Sequence, residues 1–145
     1  MSTNKFSCFV SNTDASVPLR LQVYLNNTLK HDLLPNETAQ KIEIEFEDDD
    51  QCDYQLEFVM SGKLPEHTKI DDAGKIVKDA MLSITKFELD DFGVDHLVQK
   101  QAKYTHDVNQ TGSLSEHRFY EHMGCNGTVV FDFTSPAYLW ILEQL

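Results

Sequence analysis

Leu19-Arg20-Leu21-Gln22-Val23-Tyr24-Leu25 and Lys41-Ile42-Glu43-Ile44-Glu45-Phe46-Glu47 carry the decision about the fold. In each run every second side chain is apolar, the period of a strand with one buried and one wet face. Leu19, Leu21, Val23 and Leu25 oppose Arg20, Gln22 and Tyr24, and Ile42, Ile44 and Phe46 oppose Lys41, Glu43, Glu45 and Glu47. Asn26-Asn27 ends the first run. Asparagine tolerates the left-handed backbone of tight turns, so a hairpin is expected there.

The same alternation continues outward from these runs. Asp48-Asp49-Asp50-Gln51 closes the second run, and Tyr54, Leu56 and Phe58 against Gln55 and Glu57 open the next. Two alternating runs joined by a short polar break predict an antiparallel pair. Between Met81 and Leu89, Leu82 and Ile84 point inward and Phe87 and Leu89 follow in shifted phase, which predicts a bulge near Lys86. A last run, Thr128 to Phe133, follows Gly124-Cys125-Asn126-Gly127, whose glycines permit a turn; Phe131 and Phe133 are core candidates.

Helical spacing is sparse. Val94, Leu97 and Val98 fit one short helix, and Ser135 as cap with Pro136 at the first helical position would start a second over Ala137 to Leu145, with a terminal strand as the competing assignment. Short alternating runs with few helices predict an all-β fold, an antiparallel jelly-roll-like β-sandwich. A parallel sheet would instead show continuous apolar runs. The expectation is a single domain over 1–145, with the long polar stretch 91–123 as a loop excursion ordered by a neighbour and 135–145 as a short apolar C-terminal helix or strand.

Composition excludes several partners. Lys and Arg number 12 against 24 Asp and Glu, so the formal charge is 12 − 24 = −12. A phosphate backbone or an anionic membrane surface is bound by clustered cations, and this chain has no such cluster. The longest apolar run, Tyr138 to Leu142, falls far short of the roughly 20 residues that span a bilayer. The first residues lack the apolar core and cleavage pattern of a signal peptide, so synthesis and use without secretion are expected. Cys8, Cys52 and Cys125 show no paired spacing and read as reduced thiols.

Candidate sites are few. Glu45, Glu47, Asp48, Asp49, Asp50 and Asp53 supply the hard oxygens that calcium takes, although the spacing and glycine of an EF-hand loop are missing; Glu47, Asp48, Asp49, Asp50 and Asp53 are the candidate ligands. A solvated acidic strand face is the competing reading. Asp71-Asp72-Ala73-Gly74 reads as a turn between two strands. His117, His122 and Cys125 have a zinc-like spacing with no fourth ligand nearby in sequence, which Cys52 or His106 could supply only through the fold, and Cys125 near His122 is the candidate for thiol chemistry. No nucleophile elbow, P-loop or dinucleotide fingerprint occurs. At the end of the chain Tyr138, Leu139, Trp140, Ile141, Leu142 and Leu145 leave no polar side, so that element is buried in its own domain or against another chain, and these residues are the candidate partner interface.

Two stretches carry a resemblance. Leu56-Glu57-Phe58-Val59-Met60-Ser61-Gly62-Lys63, then His67 to Asp79 and Leu82-Ser83-Ile84, resembles small virion-associated proteins of tailed phages of marine cyanobacteria and their relatives. The closing segment from Met123-Gly124-Cys125-Asn126-Gly127-Thr128 through Pro136 to Glu143 is similar to the end of the same proteins. The first stretch also resembles late strands of calcium-dependent carbohydrate-binding modules with a jelly-roll fold, whose glycine-rich and aromatic sugar-facing motif is missing here.

The phage resemblance implies a non-enzymatic virion structural protein, a capsid decoration, tail, baseplate or fibre component made in the host cytoplasm. It would act through contacts with other virion proteins and with its own copies as a homo-oligomer, with no cofactor required. The second resemblance implies an alternative, a module that holds calcium and recognises a host surface polysaccharide.

Overall fold

The structure is a computed structural model, and it describes residues 3–48, 51–64, 68–106 and 115–144. In chain order the elements are β1 (Thr3–Asn12), β2 (Arg20–Leu25), β3 (Thr28–Leu33), β4 (Gln40–Glu47), β5 (Asp53–Ser61), β6 (Thr68–Ile70), β7 (Ile76–Asp79), β8 (Leu82–Leu89), β9 (Phe92–Gly93), α1 (Asp95–Gln101), β10 (Lys103–His106), β11 (Ser115–Arg118), β12 (His122–Met123), β13 (Gly127–Thr134) and α2 (Ala137–Gln144). One sheet runs β12-β8-β1-β4 with β9 on β8, and the other runs β11-β10-β13-β5-β2-β3. Strands β6 and β7 form a separate hairpin. The pairings are antiparallel, and the two sheets stack as the expected sandwich.

The alternation in sequence is the alternation in burial. In β4, Ile42, Ile44 and Phe46 are buried and the residues between them are exposed. Asn26 and Asn27 take positive φ of 47° and 68° and turn β2 into β3, as their chemistry predicts. The bulge also stands: Lys86 sits at φ 54°, the β1–β8 register shifts between Ser7 and Phe9, and Phe87 resumes the inward phase. Phe6 of the first sheet meets Phe58 and Phe131 of the second at ring centroids 6.2 and 6.4 Å apart. Burying a side chain of this size contributes about 1.5–3 kcal/mol, so these rings fix how the sheets face. The free edges of the two sheets are tied as well. His31 Nε2 of β3 lies 2.7 Å from the Glu43 carbonyl of β4, and since a carbonyl only accepts, that nitrogen carries the proton.

Several expectations are corrected. β4 and β5 are not a pair: β4 lies on β1 and β5 lies between β13 and β2, in opposite sheets. A short polar break serves an arch between sheets as readily as a hairpin, because alternation fixes faces and not partners. The stretch 91–123 is more than loop, since it holds β9, α1, β10, β11 and β12. β10 and β11 are four residues each, too short for their alternation to stand out. β1 escapes a linear reading because Phe6, Ser7 and Cys8 are all buried in a row, without a wet face. The C-terminal element is a helix, and Asp48 rather than Ser135 caps it, with Oδ1 accepting from the Ala137 N–H at 2.7 Å. Ser135 Oγ accepts instead from the Cys52 N–H at 3.0 Å. No helix among the described residues is long and apolar enough to cross a membrane.

Candidate functional site

A cleft of about 610 Å³ lies at one end of the sandwich. Its first wall is the β2–β3 turn, which Asn26 fastens to the start of β5. The Asn26 backbone N–H donates to the Gln55 carbonyl at 3.0 Å, its Oδ1 accepts from the Gln55 N–H at 2.8 Å, and its Nδ2 donates to the Asp53 carbonyl at 3.2 Å. With Asn26 consumed in positioning, Asn27 at the tip is left to face the cleft.

Strands β5 and β13 make the floor. The ladder sets Asp53 opposite Thr134 and Gln55 opposite Asp132, so these four side chains leave one face of the pair while Tyr54 and Phe133 leave the other. Tyr54 and Phe133 stack at 5.3 Å with planes 24° apart, and the Tyr54 hydroxyl donates to the Glu47 carbonyl at 2.7 Å. Burial, and then the neighbouring Cys52 and Glu47, raise the Tyr54 hydroxyl above its ordinary value, so it stays protonated. The far wall is Gln101 at the end of α1 and Trp140 of α2. The amide of Gln101 donates to Gln144 Oε1 at 2.7 Å and joins the two helices.

Such a lining mixes polar and aromatic groups and, among the described residues, holds no cation. Among the described residues, the side chains of Asn27, Gln55, Asp132 and Thr134 have no hydrogen-bond partner, so their donors and acceptors face water. The cleft falls in the size range of small-ligand sites but is more polar than most. Hydroxyl-rich molecules suit it, because each hydroxyl both donates and accepts, as do the amides. Asp53 and Asp132 are both exposed.

The described members of the calcium candidate set, Glu47, Asp48 and Asp53, do not come together as three ligands. Asp48 is committed to structure, with Oδ2 accepting from Asn4 Nδ2 at 2.9 Å and Oδ1 capping α2. Glu47 is exposed at the end of β4, Asp53 lines the cleft, and Asp49 and Asp50 lie outside the described residues. Among the described residues no three of His, Cys, Asp and Glu come close enough to hold a metal ion. The described carboxylates thus do not fit a calcium cage, which takes six to eight oxygens. Of the partner-interface set, Trp140 is buried against Phe131 and Phe133, and Ile141 packs on the core. Tyr138, Leu139 and Leu142 are exposed on the outer flank of α2, and Leu145 lies outside the described residues.

Among the described residues His117, His122 and Cys125 form no group that could hold a metal ion. His122 Nδ1 pairs with Ser83 Oγ at 2.8 Å, His117 stacks on His106 at 5.1 Å, and Cys125 is held through its backbone by the Tyr104 hydroxyl, which accepts from the Cys125 N–H at 2.9 Å and donates to the Cys125 carbonyl. Burial pushes the Tyr104 hydroxyl and the Cys8 thiol well up, which leaves both protonated and inert. Sequence reasoning misses the cleft because its residues come from five separate stretches of the chain: a turn, two strand ends and two helices. The doubled Asn26-Asn27 is the available signal.

Comparison with known proteins adds little beyond architecture. No protein-family model matches the sequence, and no curated protein matches it. Among solved structures, the carbohydrate-binding module vCBM60 in complex with galactobiose is similar at 12% identity and a TM-score of 0.48, over 88% of this chain and 97% of that one. A second structure of vCBM60, from work linking two families of calcium-dependent carbohydrate-binding modules by circular permutation, is similar at 9% identity and a TM-score of 0.49, over 88% and 89%. At these scores and identities neither likeness says what this chain binds. Nothing in the comparisons supports a virion origin.

Proposed function

We propose that the protein is a non-catalytic glycan-binding module and that the cleft between the β2–β3 turn, the β5–β13 floor and the two helices is its site. The observation that carries this reading is the set of unpartnered amide, hydroxyl and carboxylate groups at Asn27, Gln55, Thr134 and Asp132 around a preformed concavity. Their backbone positions are fixed by the ladder and the Asn26 clamp, so only the side chains remain to be ordered when a ligand arrives. A sugar ring offers hydroxyls to this rim and C–H groups to the parts of Tyr54 and Trp140 that line the cleft. Among the described residues the grip runs through protein donors and acceptors.

A glycan array followed by calorimetry, with calcium and with chelator, tests the reading. The expected result is a saturable hit whose affinity the chelator leaves alone. An array without any hit removes the reading, and a hit that vanishes with chelator removes its metal-free part.

A second reading, a component of an assembly such as a virion, is favoured by the flank of α2, where Tyr138, Leu139 and Leu142 are 51%, 44% and 59% exposed. Light scattering of the chain and of a Leu139→Ser, Leu142→Ser variant is its test. A monomer in both cases counts against self-assembly through this flank.

A further inference from the structure

If the cleft holds a glycan, as proposed above, the charge of its lining bears on which class of glycan enters. That lining is one-sided in charge. Asp53 and Asp132 contribute to it, and among the described residues no lysine, arginine or histidine does. The carboxylates do not stand alone, since Asn27, Gln55 and Thr134 border them with neutral donors and acceptors. Their spacing follows from the ladder: Asp53 faces Thr134 and Asp132 faces Gln55, which makes the two acids diagonal neighbours on one face, about 7–8 Å apart.

Neither acid has a cationic partner among the described residues. The ion pairs there are Lys5–Glu43, Arg20–Asp32, Lys63–Asp79, Lys103–Glu116 and the contact of His122 with Glu121. Among the described residues nothing pairs with either cleft carboxylate, on a chain whose formal charge is −12. Such a field concentrates cations at the cleft and repels anions from it.

We infer that the cleft selects amino sugars: glycans bearing free ammonium groups bind in preference to their neutral N-acetylated forms, and uronate or sulfated glycans are turned away. The inference rests on the glycan reading of the same cleft. An ammonium at one sugar position donates to Asp53 or Asp132 in a charge-assisted hydrogen bond, while neighbouring hydroxyls engage the amides. An exposed ion pair is worth little, so the preference is several-fold for one ammonium and about 30-fold at most for two. Salt screens it.

Calorimetry of the full chain tests this with a glucosamine oligomer, its fully N-acetylated counterpart and a galacturonate oligomer of the same length, at mildly acidic pH and at low and high salt. The expected result is several-fold tighter binding of the glucosamine oligomer than of the N-acetylated one, and no binding of the galacturonate. The ratio of the first two affinities should collapse in an Asp53→Asn, Asp132→Asn variant and at high salt. Equal affinities in the unmodified protein, or a ratio that survives the double substitution, overturn the charge selection and leave the glycan reading standing. Absence of binding by all three, together with an array without hits, overturns both.

Discussion

β5 and β13 present two unlike faces from the same backbone. Inward, Leu56, Phe58, Phe131 and Phe133 are 0–2% exposed and interlock with Phe6 and Phe46 of the opposite sheet. Outward at the strand ends, Asp53, Gln55, Asp132 and Thr134 line a cleft and satisfy few partners. The inner face is specified by volume and burial, where each methylene matters. The outer face is specified by where the ladder and the Asn26 clamp place polar groups. One strand pair thus holds the fold with one set of side chains and presents a site with the other, and substitutions on the two faces should separate stability from binding.

The largest effect is expected inside. Phe58→Ala should lower unfolding free energy by about 3–5 kcal/mol in denaturant titrations, because it empties a site touching Phe6 and Phe87. A loss below about 1 kcal/mol would break the claim that the inner face carries the fold. Outside, Gln55→Ala should change stability by less than about 0.5 kcal/mol. Its cost should appear in ligand affinity, as about a two- to twelvefold loss for one neutral hydrogen bond.

Asp48 sharpens the comparison from the side of the acidic patch. As the cap of α2, Asp48→Ala should cost about 0.5–2 kcal/mol, and the thermal midpoint of the unmodified protein should be unmoved by millimolar calcium. A calcium-dependent rise that Asp48→Ala abolishes would return that residue to the role of ligand.

The smallest effect belongs to the exposed Arg20–Asp32 pair at the far end of the outer face. Its hydrogen bond and charge hold the Asp32 carboxyl below its ordinary 3.8. A lowered folded value means that the pair contributes above the unfolded range and that the contribution fades as pH falls through the folded value. Stability profiles taken down into acid should therefore converge for the unmodified protein and Asp32→Asn at the lowest pH and differ slightly near neutrality. Divergence in the opposite sense contradicts the assignment.

The sequence discloses the inner face far better than the outer one, for a physical reason. Burial imposes a period that the residue pattern alone reveals, so β2, β4, β5, β8 and β13 are legible, down to the bulge at Lys86. Pairing partners are not, because alternation in 41–47 and 54–58 is satisfied equally by one sheet or two. The cleft is less legible still. Asn27, Gln55, Asp132 and Gln101 are ordinary surface residues in a linear reading, and only the topology gathers them. The acidic run draws attention by its density, yet Asp48 spends its oxygens on Asn4 and Ala137. Trp140 shows the same limit: the apolar end of the chain is legible, but not which of its residues α2 turns inward.

The most direct test of the cleft as the binding surface is an amide chemical-shift titration of isotope-labelled protein with a glucosamine oligomer. Saturable shifts at Asn27, Gln55, Asp132 and Thr134, with the outer flank of α2 unmoved, are what the account predicts. Shifts confined to Tyr138, Leu139 and Leu142, or none anywhere while the array shows binding to no glycan, would contradict it.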